Sequence, residues 1–356
     1  MYLSRPLPGL SFPMTLLSAL VLLAGCGSRT EVALWEEPRQ PFEREIVETA
    51  WDTLWTVGGT LEDTILQLPR QVHSGGDAVF VLDDGDQRIL AFSRDGVPKW
   101  SFGGRGAGPD EFGGVRDLKV GADGRLYALD PKNARIMVLS PEGTVVRRVP
   151  LRGVPHAEQF APLADGTFAL VTSGPERPIY VIDETGEVVE RGDLPWEEFA
   201  QLPFIVRQGF VASDGNAWAY LFGMGNGWFS FEGTDALAHT GRFVEHTAFP
   251  SLERKSGSGA RSERLVRPSC SACSVAMQNG VVYVLFGGSG ADRMKIVDTY
   301  RWSDGEYLGT VRLPTGAAAV GVGEEVFYVL RNSPYPTLLA LRPRPERDGA
   351  GLALAR

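Results

Sequence analysis

Cys270-Ser271-Ala272-Cys273 is a pair of thiols whose spacing could do chemistry. C-x-x-C holds zinc or exchanges disulfides in a reducing compartment, and closes a local disulfide outside one. The chain has no second C-x-x-C and no histidine after Cys273, which excludes c-type haem attachment. Zinc would have to recruit from His73, His156, His239 and His246, each isolated in sequence. A local Cys270–Cys273 disulfide is the first reading, two quiet thiols the second, and a metal or redox site the third. Leu82-Asp83-Asp84-Gly85-Asp86-Gln87 gathers three carboxylates around a glycine, so calcium is the one cofactor to weigh. A calcium site needs six to eight oxygens, and no twelve-residue loop ending in glutamate is present. Asp83 and its counterpart Asp130 more simply close hairpins by accepting backbone amides. No serine sits on a strand-to-helix elbow. The expectation is no catalytic set, no metal and no cofactor, with calcium as the residual alternative.

Residues 101–112, SFGGRGAGPDEF, pose a sharper choice. Glycines beside an arginine can cradle a phosphate, but only where a helix N-terminus follows. Here Gly113-Gly114-Val115 and then DLKV follow, with no helical period. The segment therefore reads as a joint between structural units, with Phe112 wedged between sheets and Arg105 paired with Asp110 or Glu111.

The elements that must position these residues are short strands. Hydrophobic content of 43% and charged content of 22% are ordinary for a globular chain, and the 43 glycines and 24 prolines are spread along it as turn signals. Residues 88–96 (RILAFSRDG), 135–143 (RIMVLSPEG) and 178–186 (PIYVIDETG) each alternate apolar side chains and end in a glycine turn. That is the pattern of a half-buried strand. Upstream of each lies another strand, AVFVLD, RLYALD and TFALVT, and the first two copies match position for position. More worn copies follow around 217–233, 281–306 and 326–343. The glycine of the first turn recurs at Gly76, Gly124, Gly166, Gly215, Gly280 and Gly323. A period of about 40 to 50 residues with four strands per unit is the sign of a β-propeller. The fold expected is all-β: a six-bladed β-propeller of four antiparallel strands per blade. The sixth unit is one strand short, and EIVETAWDTLWTVGG (45–59) precedes the first unit without partners. Pairing it with the C-terminal blade closes the ring and removes two sheet edges.

W-S-F-G-G-R-G-A-G-P-D-E-F, D-G-R-L-Y-A-L-D and N-A-R-I-M-V-L-S-P-E-G resemble an NHL-type repeat, and the chain resembles bacterial six-bladed β-propeller lipoproteins of the NHL-repeat or TolB-like group. The resemblance implies the fold. It leaves the activity open among ligand-binding scaffolds, sensors, lyases and lactonases.

The N-terminus adds an address. Met1 to Pro13 carry Arg5 as their one charge, and an apolar run from Met14 to Leu23 leads to Leu23-Ala24-Gly25-Cys26. This has the layout of a secretory signal and is shorter than the roughly 20 apolar residues of a membrane span. The Leu-Ala-Gly-Cys ending resembles the lipobox of bacterial lipoproteins, which implies cleavage after residue 25 and lipidation of Cys26. Gly27 and Ser28, with no aspartate beside the cysteine, resemble outer-membrane sorting. The expected organisation is a signal peptide (1–25), a flexible tether (26–43), the propeller (44–344) and a disordered tail (345–356). A net charge of −9 argues against nucleic acid as a partner.

In a propeller the loops joining outer to inner strands share one face with the loops between second and third strands. A site is expected there, at the channel mouth. The candidates are Arg105, Asp110, Glu111, His156 and Arg177, with Arg254, Arg264 and Arg267 from the 251–270 insertion. That insertion carries five basic residues against two acidic, and reads as a flexible loop or as a lip that meets an anionic ligand or partner. The inner-strand entries (QVHSG, LKVGA, FAPLA, FVASD, AMQNG and AAAVG) are mostly apolar or small, which weakens an enzymatic reading. The function expected is a monomeric, lipid-anchored envelope module that binds a protein or glycan. The alternative is a metal-dependent lyase or lactonase with its ion in the channel, and an extracytoplasmic sensor or assembly factor is a third.

Overall fold

The computed structural model describes residues 43–174, 177–194, 207–234, 237–245, 251–257, 260–266, 270–288 and 290–344. The expected signal peptide, nearly all of the tether, the tail and Cys26 lie outside these residues.

Strands β1 (Ile46–Val47) and β2 (Trp51–Gly58) precede the first blade. Blade one is β3 (Pro69–Gly75), β4 (Ala78–Asp83), β5 (Arg88–Ser93) and β6 (Pro98–Gly103). Blade two is β7 (Asp117–Val120), β8 (Leu126–Asp130), β9 (Arg135–Leu139) and β10 (Val145–Pro150). Blade three is β11 (Ala157–Pro162), β12 (Phe168–Thr172), β13 (Ile179–Ile182) and β14 (Val188–Gly192). Blade four is β15 (Gly209–Asp214), β16 (Ala217–Phe222), β17 (Gly227–Glu232) and β18 (Leu237–Arg242). A separate hairpin of β19 (Ser251–Gly257) and β20 (Ala260–Val266) follows. Blade five is β21 (Ser274–Gln278), β22 (Val281–Phe286), β23 (Ile296–Arg301) and β24 (Tyr307–Arg312), and blade six is β25 (Ala319–Gly323), β26 (Val326–Arg331) and β27 (Thr337–Pro343). β2 completes blade six by antiparallel pairing from Trp51↔Pro343 to Gly58↔Thr337. The six inner strands neighbour one another in a closed cycle, with β25 beside β3. The molecule is a six-bladed all-β propeller.

Three features differ from the sequence expectation. First, the second and third strands are buried on both faces, not one. In β4, Ala78, Phe80 and Leu82 pack toward blade two, while Val79 and Val81 pack toward blade six. Each blade is sandwiched between two others, so both halves of the alternation are core, and six such clusters fill the gaps around the ring. Second, the lead 45–59 is two strands. β1 adds in parallel to the rim of blade five before β2 closes blade six. Third, the first-turn glycine slips in blade six. Gly76, Gly124, Gly166, Gly215 and Gly280 have φ between +58° and +89°, whereas Gly323 lies inside β25 and Glu325 takes the left-handed position.

The joints between blades use paired charges. The Asp130 carboxylate accepts the Gly113 and Gly114 amides at 3.1 and 3.0 Å, and Arg135 donates to the carbonyls of Gly108 and Glu111. One blade earlier, Asp83 accepts the Gln67 and Leu68 amides, both at 2.8 Å, and Arg88 donates to the Ile65 carbonyl at 2.9 Å. The repeated Asp…Arg pair therefore ties down the loop arriving from the previous blade, beyond closing its own hairpin. Within SFGGRGAGPDEF, Arg105 reaches the carbonyls of Asp84 and Gly85 instead of a carboxylate, Asp110 pairs with Arg148 at 2.8 Å, and Glu111 accepts the Gly108 amide. Phe112 is fully buried between blades one and two. The glycine-rich stretch is a joint.

Inner strands are stapled around the axis by side chains at one position. Gln71 accepts the Leu118 amide (2.8 Å), Asp117 the Phe160 amide (3.1 Å), Gln159 the Val211 amide (3.1 Å) and Ser274 the Val320 amide (3.1 Å). Phe210 and Ala319 occupy the same position in blades four and six and cannot accept such a bond; between blades six and one, Ser74 instead donates to the Val322 carbonyl at 2.6 Å.

Candidate functional site

The residue just before each staple faces the channel mouth, and these six define its character. Blades one to three supply Arg70, Arg116 and Glu158; blades four to six supply Gly209, Cys273 and Ala318. One half of the mouth is charged and the other neutral. Between them lies a cavity of about 470 Å³, within the size range of small-ligand sites. Its neutral wall includes Val171, Phe210, Met224, Ala272 and Met294. Arg207, on the loop entering blade four, adds a third guanidinium.

The three arginines differ in what they face. Arg70 donates through Nη2 to the Val115 and Arg116 carbonyls (2.6 and 3.0 Å), and its Nε lies 3.6 Å from Asp84. Arg116 Nε lies 3.6 Å from Glu158. Arg207 has buried Nε and Nη1 atoms with no hydrogen-bond partner among the described residues. Burial lowers its pKa, opposed by the Tyr220 phenol, whose hydroxyl donates to the Arg207 carbonyl. Burial in turn raises the Tyr220 pKa.

A second space of about 270 Å³ shares Arg70, Gln159, Phe210 and Cys273 with the first and includes His73 and Lys119. Lys119 donates to Asp117 at 2.6 Å, and Asp117 also receives Gln71 Nε2 at 3.1 Å. Burial lowers the Lys119 pKa against the pull of Asp117. Burial, reinforced by the Lys119 ammonium, pushes the His73 imidazole down to about 3, so it stays neutral. Three of the six inner strands thus bring charged or strongly polar groups to the channel, correcting the expectation of a mostly apolar or small lining.

Cys270 and Cys273 are joined as a disulfide in the neutral wall, their Cα atoms 5.5 Å apart. Among the other sequence candidates, Arg105, Asp110, Glu111, His156 and Arg177 are exposed on this face and do not line the cavity. Arg177 donates to the Arg191 carbonyl, and the His156 carbonyl accepts the Ser173 amide. Arg254 and Arg264 lie on the β19–β20 hairpin, where strand register sets them opposite Glu263 and Glu253. The insertion is thus a paired hairpin, which departs from the first of its two readings, a flexible loop, and leaves the second, a lip, untouched. Arg267 lies outside the described residues. The aspartates of LDDGDQ already meet donors: Asp83 the amides above, Asp84 the Gln87 amide at 2.7 Å, and Asp86 the Arg88 guanidinium at 3.4 Å.

Sequence reasoning missed Arg70, Arg116, Glu158 and Arg207. A signal for the first three was present: aligning inner strands on the staple gives Arg-Gln, Arg-Asp and Glu-Gln at 70–71, 116–117 and 158–159.

Residues 59–222 match a family model described as a 6-bladed beta-propeller, DUF5128. A putative exported protein from Bacteroides fragilis superimposes with a TM-score of 0.51 at 9% identity, covering 84% of this chain and 99% of that one. The virginiamycin B lyase of Staphylococcus aureus gives 0.50 at 11% identity, covering 82% and 99%. The Pan2 WD40 domain of Neurospora crassa gives 0.50 at 11% identity, covering 83% and 96%. At these identities the likeness is one of fold. No curated protein matches the sequence.

Proposed function

We propose that this chain is a lipid-anchored envelope module that binds a protein or glycan ligand at the channel mouth. The observation that carries the reading is the half-charged, half-neutral cavity of about 470 Å³ on the face where the inter-blade loops gather. A rigid ring holds its walls, and loops on such scaffolds are where binding residues concentrate. Among the described residues no three His, Cys, Asp or Glu side chains converge, so the metal-dependent lyase or lactonase reading draws no support from the geometry.

Peptide and glycan arrays test this with the wild type, Met224→Trp to fill the cavity, and Val97→Trp as a control on an exposed turn. Binding lost in Met224→Trp and kept in Val97→Trp supports the mouth as the site. Equal binding by all three refutes it. For the anchor, Cys26→Ser is expected to move the protein from the membrane to the soluble envelope fraction, since acyl chains rather than a spanning helix hold it. Unchanged membrane association would refute that part.

A further inference from the structure

We propose that the ligand group recognised at the mouth is an amphipathic monocarboxylate, with its carboxylate on the Arg207 guanidinium and its apolar body against the neutral wall. This rests on the reading of the mouth as a ligand site and adds the chemical class.

Counting charge decides the class. Two of the three guanidiniums have carboxylates within 3.6 Å, Asp84 at Arg70 and Glu158 at Arg116. Arg207 has no counter-ion among the described residues, and two of its nitrogens are shielded from water without a hydrogen bond. A buried donor left unpaired is costly, and a buried charge more so, unless a partner arrives. Among the described residues this leaves one uncompensated positive charge at the mouth, which matches one negative charge. A phosphate dianion would bring a second, next to Glu158 and Asp84. The planar guanidinium fork also suits the two coplanar oxygens of a carboxylate.

The remainder of the ligand follows from the neutral wall, part of which lies in the same blade as Arg207. Phe210, Met224, Ala272, Met294 and the Cys270–Cys273 disulfide offer apolar and polarisable surface with no further cation. Arg207 is pinned there by its backbone, because the buried Tyr220 hydroxyl grips its carbonyl. Arg207 thus borders a cavity lined by these apolar side chains. A free aryl or acyl acid and the C-terminal carboxylate of a peptide ending in an apolar residue share this chemistry.

The test is calorimetry on the full chain in mild detergent. The probes are phenylpropionate and the tripeptide Ala-Ala-Phe with a free C-terminus, each against its neutral amide, with inorganic phosphate as the dianion. The acids are expected to bind at least tenfold tighter than the amides and tighter than phosphate. Arg207→Gln should erase that preference, and Arg152→Gln, which breaks only an exposed pair with Glu187, should keep it. Which acid binds tells the free acid from the peptide end. Amides binding as well as acids, or phosphate binding best, overturns the carboxylate assignment and leaves the cavity as a ligand site. Binding by neither acid also overturns it, while the array experiment with Met224→Trp decides the broader reading separately. Folding is checked by melting. Arg207→Gln should melt no lower than the wild type, since no described partner is lost, and a lower melting point would mark a structural guanidinium and count against the proposal. Arg207→Lys, which keeps the charge but loses the fork, should weaken the acids several-fold, and undiminished binding would refute the forked contact.

Discussion

Single side chains in this ring carry loads that their neighbours cannot share. Asp130 is fully buried and receives Gly113, Gly114 and Asn133, with Arg135 at 3.7 Å. Asp130→Ala leaves these donors unpaired and releases the joint between blades one and two. A loss of about 3 kcal/mol in urea denaturation is expected, with Asp130→Asn losing roughly half because one acceptor oxygen remains. His73 makes the complementary prediction in pH. Its ordinary value is 6.5 and its folded value about 3. Between the two, the unfolded chain binds a proton that the folded chain refuses, so stability rises with pH through this window and is lost as pH falls. Above 6.5 the imidazole is neutral in both states and contributes no dependence. His73→Gln should remove one proton's worth of slope between pH 6.5 and 4 in melting curves, while the carboxylates keep theirs. An unchanged slope would mean that the wild-type imidazole is protonated in the folded channel.

At the level of strands, the outer edges interlock by a repeated peg. Trp55 Nε1 on β2 donates to the Arg94 carbonyl, and Trp100 Nε1 on β6 donates to the Pro141 carbonyl, each in the next blade's last turn. Gly96 and Gly143 make room: a Cβ on either would sit 2.6 or 2.7 Å from the indole, and both have φ near +80°. Gly143→Ala therefore combines backbone strain with displacement of Trp100, and should destabilise by about 2 kcal/mol, read from denaturant midpoints. Its effect should shrink in a Trp100→Ala background, where only the strain remains. The likeness of TLWTVGG to KWSFGG made the role of β2 legible in sequence, because equivalent pegs need equivalent residues. The strand repeats and ring closure were legible for the same reason. The half-charged mouth was harder to read, since Arg70, Arg116 and Glu158 are far apart in sequence and line up only once the inner strands are aligned on the staple, while Arg207 lies on a loop outside that alignment. Arg105 and Glu111 drew attention instead, because charge crowded among glycines looks like a site when its partners, the carbonyls and amides of the loop itself, are invisible in sequence. The hairpin β19–β20 was obscured by its Ser, Gly and Arg content, which reads as a linker although its register sets Leu252 against Leu265 and acids against bases.

For the whole molecule, closure depends on a short N-terminal piece that touches blades five, six and one. β2 covers the edge of β27, and Trp51 meets Phe327 edge-on at 5.3 Å, while β1 lies against β24. Ahead of both, Arg44 grips the buried Asp298 with two hydrogen bonds of 2.8 Å and lies over the Phe286 ring at 4.6 Å. At the other end, the Arg344 amide bonds the Ala50 carbonyl at 2.8 Å and its side chain pairs with Asp52. A propeller opened here keeps five complete blades, so it should not unfold outright. It exposes an unpaired β27 edge and one side of the cluster shared by blades six and one, which invites edge-to-edge association. A chain beginning at Gly59 is therefore expected to melt lower and less cooperatively than the full chain and to self-associate on a sizing column. A synthetic peptide of residues 43–58 added in trans should bind it, restore a single sharp transition and return it to a monomer. The same peptide carrying Arg44→Ala should bind at least tenfold more weakly, because Asp298 would be left buried without its guanidinium. A Gly59 chain that melts like the intact protein would show that the six blades hold together without their seam.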